Sequence, residues 1–212
     1  MSELENGNPI RVSASISEFL RHVFSCKIKM QSTSAPILLT SFAPWRASQP
    51  SNSSDDLLIQ SQRTGVLPPE AVILHKLPVN FQLAPTQVIA KIFELRPRYV
   101  VCCGMAESRN QLNLELQGTC NQRVLKTSIN LKRLMMGAQI TEVSHSAGDF
   151  VCNHLYFKVL DFLNHANWPC ECVFVHVPRL TKANWQPIQS DFQLMLDRLS
   201  TAQKPLWVKQ AA

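Results

Sequence analysis

The feature that most constrains this chain is its alternation of short apolar runs with segments whose apolar residues recur at helical spacing. Tyr99–Cys103 is a run of the buried-strand type, and Cys172–Val177 is another strand, stopped by Pro178. Pro36–Thr40 has strand character, as does Val72-Ile73-Leu74 within Val72–Val79. Leu112-Asn113-Leu114-Glu115-Leu116 alternates as a half-exposed strand does, and Gln139–Val143 reads as one more strand. Between them, Pro85 suits the first turn of a helix with Val88, Ile89, Ile92 and Phe93 on its apolar face, ended by Pro97. Phe150–Leu163, after Gly148, reads as a second helix, and Phe192, Leu196 and Leu199 mark a final one. Strands alternating with helices predict an α/β fold around a mainly parallel sheet.

The 212 residues suffice for one good core. Residues 1–35 are polar and Ser-rich apart from an amphipathic patch, Ile16–Ile28, so they are expected to form an N-terminal extension carrying one helix. The domain proper is expected over 36–212. Hydrophobic residues make up 45% of the chain and charged residues 17%, which excludes disorder throughout. No apolar stretch is long enough for a membrane span, and the acidic start, Glu3 and Glu5, does not read as a secretory signal. The net charge of +6 is scattered rather than run together, so neither a nucleic-acid nor a membrane partner is expected.

Seven cysteines, an odd number, argue for a reducing cytoplasm rather than a disulfide scaffold. No CxxC pair is present; Cys170-x-Cys172 and His22-x3-Cys26 lack the spacing of zinc knuckles, so no metal and no cofactor is expected.

Three residues carry candidate chemistry. Cys152 lies three residues after Asp149, a plausible N-cap, where a helix start would stabilise a thiolate; the alternative is a buried structural thiol. His176 ends the strand Val173–Val177, and active sites of open parallel sheets gather at the carboxyl ends of strands; the alternative is a satisfied core histidine. Glu115 is an acid in an apolar alternation. It either meets a histidine and fixes its tautomer, or points to solvent. Together they form a candidate Cys–His–Glu triad.

At these residues the chain resembles a known family. Ser146-Ala147-Gly148-Asp149-Phe150-Val151-Cys152-Asn153-His154-Leu155-Tyr156 is similar to the nucleophile motif of pyroglutamyl peptidase I, also called pyrrolidone carboxylate peptidase. Phe174-Val175-His176-Val177-Pro178 resembles its histidine motif. Cys103-Gly104-Met105-Ala106, then Ser108-Arg109 and Leu114-Glu115, resembles its glutamate region. Thr40-Ser41-Phe42-Ala43-Pro44-Trp45 resembles its substrate-binding turn, with Asn52-Ser53-Ser54 following and Leu77-Pro78-Val79 a further counterpart.

The resemblance implies a three-layer α/β/α sandwich around a mainly parallel, mixed and twisted sheet. It also implies a metal-free cysteine peptidase that removes an N-terminal pyroglutamyl residue from peptides. On that pattern Cys152 is the nucleophile, His176 the general base and acid, and Glu115 the residue orienting His176. Phe42, Trp45, Phe150 and Val151 line the substrate pocket. The chain departs from the family at Ser41 and Arg46-Ala47, where glycines are usual, at Trp45 for Phe, and at Leu116 for Arg. The stretch from Glu115 to Cys152 is also short. These departures reshape the pocket and alter the oligomer contacts, leaving homo-oligomer formation open. They keep two alternatives in view: an altered substrate, or a peptide-binding protein without turnover.

Overall fold

The computed structural model describes residues 36–166 and 168–202, which lie in one compact unit, Ser34–Ala212. The expected N-terminal extension, with its helix at Ile16–Ile28, falls outside the described residues. In chain order the elements are β1 (Ile37–Phe42), α1 (Ser53–Arg63), β2 (Ala71–Leu77), α2 (Leu83–Leu95), β3 (Tyr99–Met105) and β4 (Leu112–Glu115). Then come β5 (Gln117–Cys120), β6 (Arg123–Lys126), α3 (Leu131–Leu134), β7 (Thr141–Ser144), α4 (Val151–His165), β8 (Glu171–Val177) and α5 (Trp185–Thr201).

Six strands form one sheet in the order β2-β1-β3-β8-β4-β7. The pairs β1–β2, β1–β3, β3–β8 and β4–β7 are parallel, and only β4–β8 is antiparallel. The small β5–β6 hairpin stands apart from that sheet. The mixed, mainly parallel sheet is the one expected.

Strand alternation sorts the interior into two cores. Ile37, Leu39, Val101, Cys103, Leu114, Val173 and Val175 face one side and pack on α1, α3 and α5 through Leu57, Leu134, Phe192 and Leu196. Leu38, Phe42, Val100, Cys102 and Phe174 face the other and pack on α2 and α4 through Val88, Ile92, Leu155, Tyr156 and Val159. Two helical layers thus sandwich the sheet. The central strands β1, β3 and β8 are covered on both sides, which is why they read as continuous apolar runs.

Two expectations fail here. All four residues of β4 are buried, so it is not half-exposed: it lies between β8 and β7, and its polar residues face the α4 layer. In α2 the buried stripe is Ala84, Pro85, Val88 and Ile92, while Phe93 is largely exposed. Phe93 instead meets Phe162 and Trp168, with ring centroids at 5.2 and 5.3 Å. Elements α1, α3 and the hairpin had no apolar periodicity that picked them out. Helix α1 starts on a polar signal, Asn52, whose side chain accepts from Ser54 N–H at 3.0 Å.

Candidate active site

The alternation that sorts the cores also builds the site. On β8, Cys172, Phe174 and His176 point toward α4; on β4, Asn113 and Glu115 do. The antiparallel register sets Asn113 opposite His176 and Glu115 opposite Phe174. His176 thereby reaches the Glu115 carboxylate: His176 Nδ1 lies 2.7 Å from Glu115 Oε1. The Glu115 side chain is 0% exposed and that of His176 6%. Glu115 therefore does not point to solvent.

A second donor meets the same oxygen. Arg109 Nη1 donates to Glu115 Oε1 at 2.7 Å, and Arg109 Nη2 donates to the Ser146 carbonyl at 2.8 Å. With Oε1 already accepting a guanidinium N–H, Nδ1 of His176 donates to the same oxygen and Nε2 carries the lone pair. The Tyr156 hydroxyl fixes the acid from behind, donating to the Glu115 backbone carbonyl at 3.0 Å.

Cys152 is the second residue of α4. The expected cap, Asp149, is not used: Gly148 turns the chain at φ 76°, and Phe150, extended, is the residue before the helix, with no side-chain cap. The first helical bond runs from His154 N–H to the Phe150 carbonyl at 3.1 Å. The N–H groups of Val151, Cys152 and Asn153 thus begin the helix without an intrahelical acceptor. The next residue, Asn153, docks the helix on β5. Its carboxamide accepts from Thr119 N–H and donates to the Thr119 carbonyl, both at 2.8 Å.

The thiol approaches β3 at its glycine. A Cβ on Gly104 would stand 2.8 Å from Cys152 Sγ and 2.7 Å from Phe174 Cζ. Only a residue without a side chain leaves that space. Burial pushes the Cys152 thiol up to about 12, and the neighbouring Cys102 and Glu115 act in the same direction, against the lowering by Cys152's own backbone N–H. Burial likewise lowers His176 from its ordinary 6.5, as does the Arg109 charge, against the raising effect of Glu115. Desolvation therefore outweighs the helix start at Cys152 and opposes charge on both groups.

Cys152 and His176 line one pocket of about 290 Å³ with Phe42, Trp45, Asn52, Val79, Met105, Glu107, Ser108, Ala147, Phe150 and Val151. All four residues expected to bind substrate are there, and Glu115 sits behind His176. Phe42 and Val151 are buried, whereas Trp45 is 39% and Phe150 48% exposed, their rings 5.7 Å apart at the rim. Asn52 holds the turn that carries the aromatics: its Nδ2 donates to the Ala43 carbonyl at 3.2 Å, and Phe42 N–H donates to Ser54 Oγ at 3.3 Å. Arg46 lies over the Trp45 ring, its guanidinium carbon 3.8 Å from the centroid. Sequence reasoning placed Asn52, Ser54, Gly104 and Arg109 in motifs but gave them no work to do. Side chains that hold other side chains leave no periodic signal.

Comparison with known proteins bears directly on this pocket. A family model described as pyroglutamyl peptidase matches residues 127–191, a stretch containing both Cys152 and His176. Over that stretch the chain is similar to the pyroglutamyl peptidase family. A pyrrolidone-carboxylate peptidase of Bacillus cereus is 27% identical over 135 residues, covering 51% of this chain and 63% of that protein, short of two thirds of its length. Its counterpart from Pseudomonas fluorescens is 25% identical over 170 residues, covering 68% and 78%. Pyroglutamyl peptidase I from Bacillus amyloliquefaciens superposes with a TM-score of 0.69 at 18% identity, over 80% of this chain and 97% of that one. A mutant pyrrolidone carboxyl peptidase from Pyrococcus furiosus gives 0.66 at 16%, over 78% and 97%. These structural likenesses establish the pyroglutamyl peptidase fold, including the expected three layers. Among the described residues no helix is long and apolar enough to cross a membrane.

Proposed function

We propose that the pocket hydrolyses an N-terminal pyroglutamyl residue from peptides by acyl transfer through a thioester on Cys152. The observation that carries this reading is the 2.7 Å contact of His176 Nδ1 with buried Glu115, which leaves Nε2 as the basic nitrogen of a residue sharing its pocket with a thiol. Similarity to pyrrolidone-carboxylate peptidases suggests the substrate class.

On this reading the pair rests neutral, and the proton moves as the thiol attacks. Cys152 S–H gives its proton to His176 Nε2 while sulfur bonds to the pyroglutamyl carbonyl carbon. The Glu115 carboxylate stabilises the imidazolium through Nδ1–H. The oxyanion is met by free N–H groups at the start of α4, that of Cys152 among them. Collapse breaks the C–N bond as the imidazolium gives its proton to the departing amine. Water, deprotonated by Nε2, then adds to the thioester, and the thiol leaves with that proton. The apolar walls from Phe42, Trp45, Phe150 and Val151 suit a compact neutral lactam, and a volume of about 290 Å³ is at the small end for ligand pockets.

On the same reading the activity resides in 36–212, with 1–35 an extension to it. The substrate is a peptide, no cofactor is used, and the protein works in the cytoplasm, where its cysteines would stay reduced. The test is release of a fluorescent amine from a pyroglutamyl conjugate. The wild type should turn it over and Cys152→Ser should not. A folded wild type that leaves the conjugate intact, or a Cys152→Ser variant as active as wild type, would refute the assignment.

A further inference from the structure

Glu115 presents an unusual electrostatic problem. Its side chain is wholly buried, two donors converge on one oxygen, and the other oxygen, Oε2, has no hydrogen-bond partner. A carboxylate so placed needs a positive charge beside it. Two side chains are in reach to provide one. If His176 did so, it would rest as an imidazolium, and its Nε2 could accept no proton from Cys152. Arg109 is charged at every working pH, and its Nη1 lies as close to Oε1 as the imidazole does.

We propose that Arg109 is a positioning residue that supplies the counter-charge for Glu115 and so leaves His176 free to act as a neutral base. This deepens the reading above and rests on it only for the substrate. The guanidinium is fixed in that role at its other end, by the bond from Nη2 to the Ser146 carbonyl in the loop that leads into α4. Its side chain is 24% exposed, so it screens Glu115 from solvent while keeping part of its own surface wet. The other ionisable groups around His176 cannot take over. Cys152 and Tyr156 from α4, Cys102 from β3 and Glu107 in the shared pocket wall can carry no positive charge, and Glu115 from β4 is the charge to be balanced. The lowered proton affinity of His176, to which the Arg109 charge contributes after burial, is in the direction this arrangement requires.

The test compares Arg109→Gln and Arg109→Lys in the full chain with two readouts: the pH dependence of pyroglutamyl-amide hydrolysis, and the imidazole shifts of His176 followed by NMR, assigned through His176→Gln. Arg109→Gln should raise the NMR midpoint and the acid limb together. It should lower kcat at neutral pH on the order of 10- to 100-fold, the scale of one hydrogen bond to a charged group. Part of that loss should return as the pH is raised. Arg109→Lys should keep the wild-type midpoint and stay within about tenfold of wild-type activity. An unmoved midpoint in folded Arg109→Gln, or a loss of kcat equal at every pH, would overturn the proposal. If Arg109→Gln does not fold, Arg109→Lys decides: a risen midpoint despite the retained charge overturns it. If the wild type fails to cleave the conjugate while the Arg109→Gln midpoint still rises, the substrate reading falls and the role of Arg109 stands.

Discussion

Gly104→Ala should damage the site more than any other change of a single methyl group. The added Cβ would lie 2.8 Å from Cys152 Sγ, 2.7 Å from Phe174 Cζ and 3.1 Å from Phe174 Cε1, where ordinary contacts begin near 3.4 Å. Sulfur or methyl must therefore yield by about 0.6 Å, and the phenyl ring by slightly more. Neither can move cheaply. Phe174 is fully buried against Tyr156 and lies with its ring centroid 4.8 Å from that of His176, so displacing it pushes on the base as well. Overpacking of this kind costs about 1–3 kcal/mol of stability. Misplacing reacting groups by up to ~1 Å can cost about a hundredfold in rate. The expected outcome is a folded protein with Tm lowered by several degrees, kcat reduced by about two orders of magnitude and KM little changed. Thermal unfolding and steady-state hydrolysis of the pyroglutamyl conjugate measure both. A Gly104→Ala variant with wild-type Tm and kcat would show that Sγ is not held against β3, and the geometric argument would collapse.

The pH profile follows from the two desolvated groups. His176 must be neutral to accept a proton and is lowered from 6.5, so the acid limb of kcat/KM should fall below that value; the alkaline limb should lie far above neutrality, because Cys152 is raised to about 12. Each limb belongs to the coupled pair, and a limb centred above 6.5 on the acid side would contradict the buried, neutral resting state. Stability has a sign too: the unfolded state binds the His176 proton more readily, so stability contributed by this group is present above about pH 6.5 and declines as the pH falls, which thermal melts can follow. Trp45→Ala should raise KM by roughly tenfold, the low end for an apolar pocket contact because the ring is partly exposed. Trp45→Phe should be milder. Unchanged kinetics with a lowered Tm would assign Trp45 to packing alone.

The parts of this molecule legible in the sequence are those where a local pattern and the tertiary environment agree. Tyr99–Cys103 and Cys172–Val177 read as buried strands because both faces are covered by helices. The position of His176 at the end of such a strand then followed from fold logic. Glu115 was ambiguous for a physical reason. Alternation says which residues share a face, but it cannot say whether that face is wet, and only the placement of β4 inside the sheet decides it. Phe93 misled because a helical stripe one residue too wide looks the same in sequence as one that fits. The helix-start argument for Cys152 finds its position, but burial raises the thiol where the helix start alone would lower it. The clamp on Glu115 was out of reach, because it depends on loops brought together only by the fold, Arg109 before β4 and Ser146 before α4.

The docking of Asn153 has a consequence for association as well as for packing. A two-stranded ribbon offers its outer main-chain groups to any passing strand, and such edges invite pairing between molecules. At Thr119 that invitation is withdrawn, because a side-chain amide from the neighbouring helix takes both the N–H and the C=O, as another strand would. Thr119 faces Val124 across the hairpin, and with both of its main-chain groups turned to Asn153 it has none left for a newcomer. The residue next to the thiol therefore also seals a sheet edge. A change there should open a route to self-association at the same stroke as it loosens the nucleophile helix.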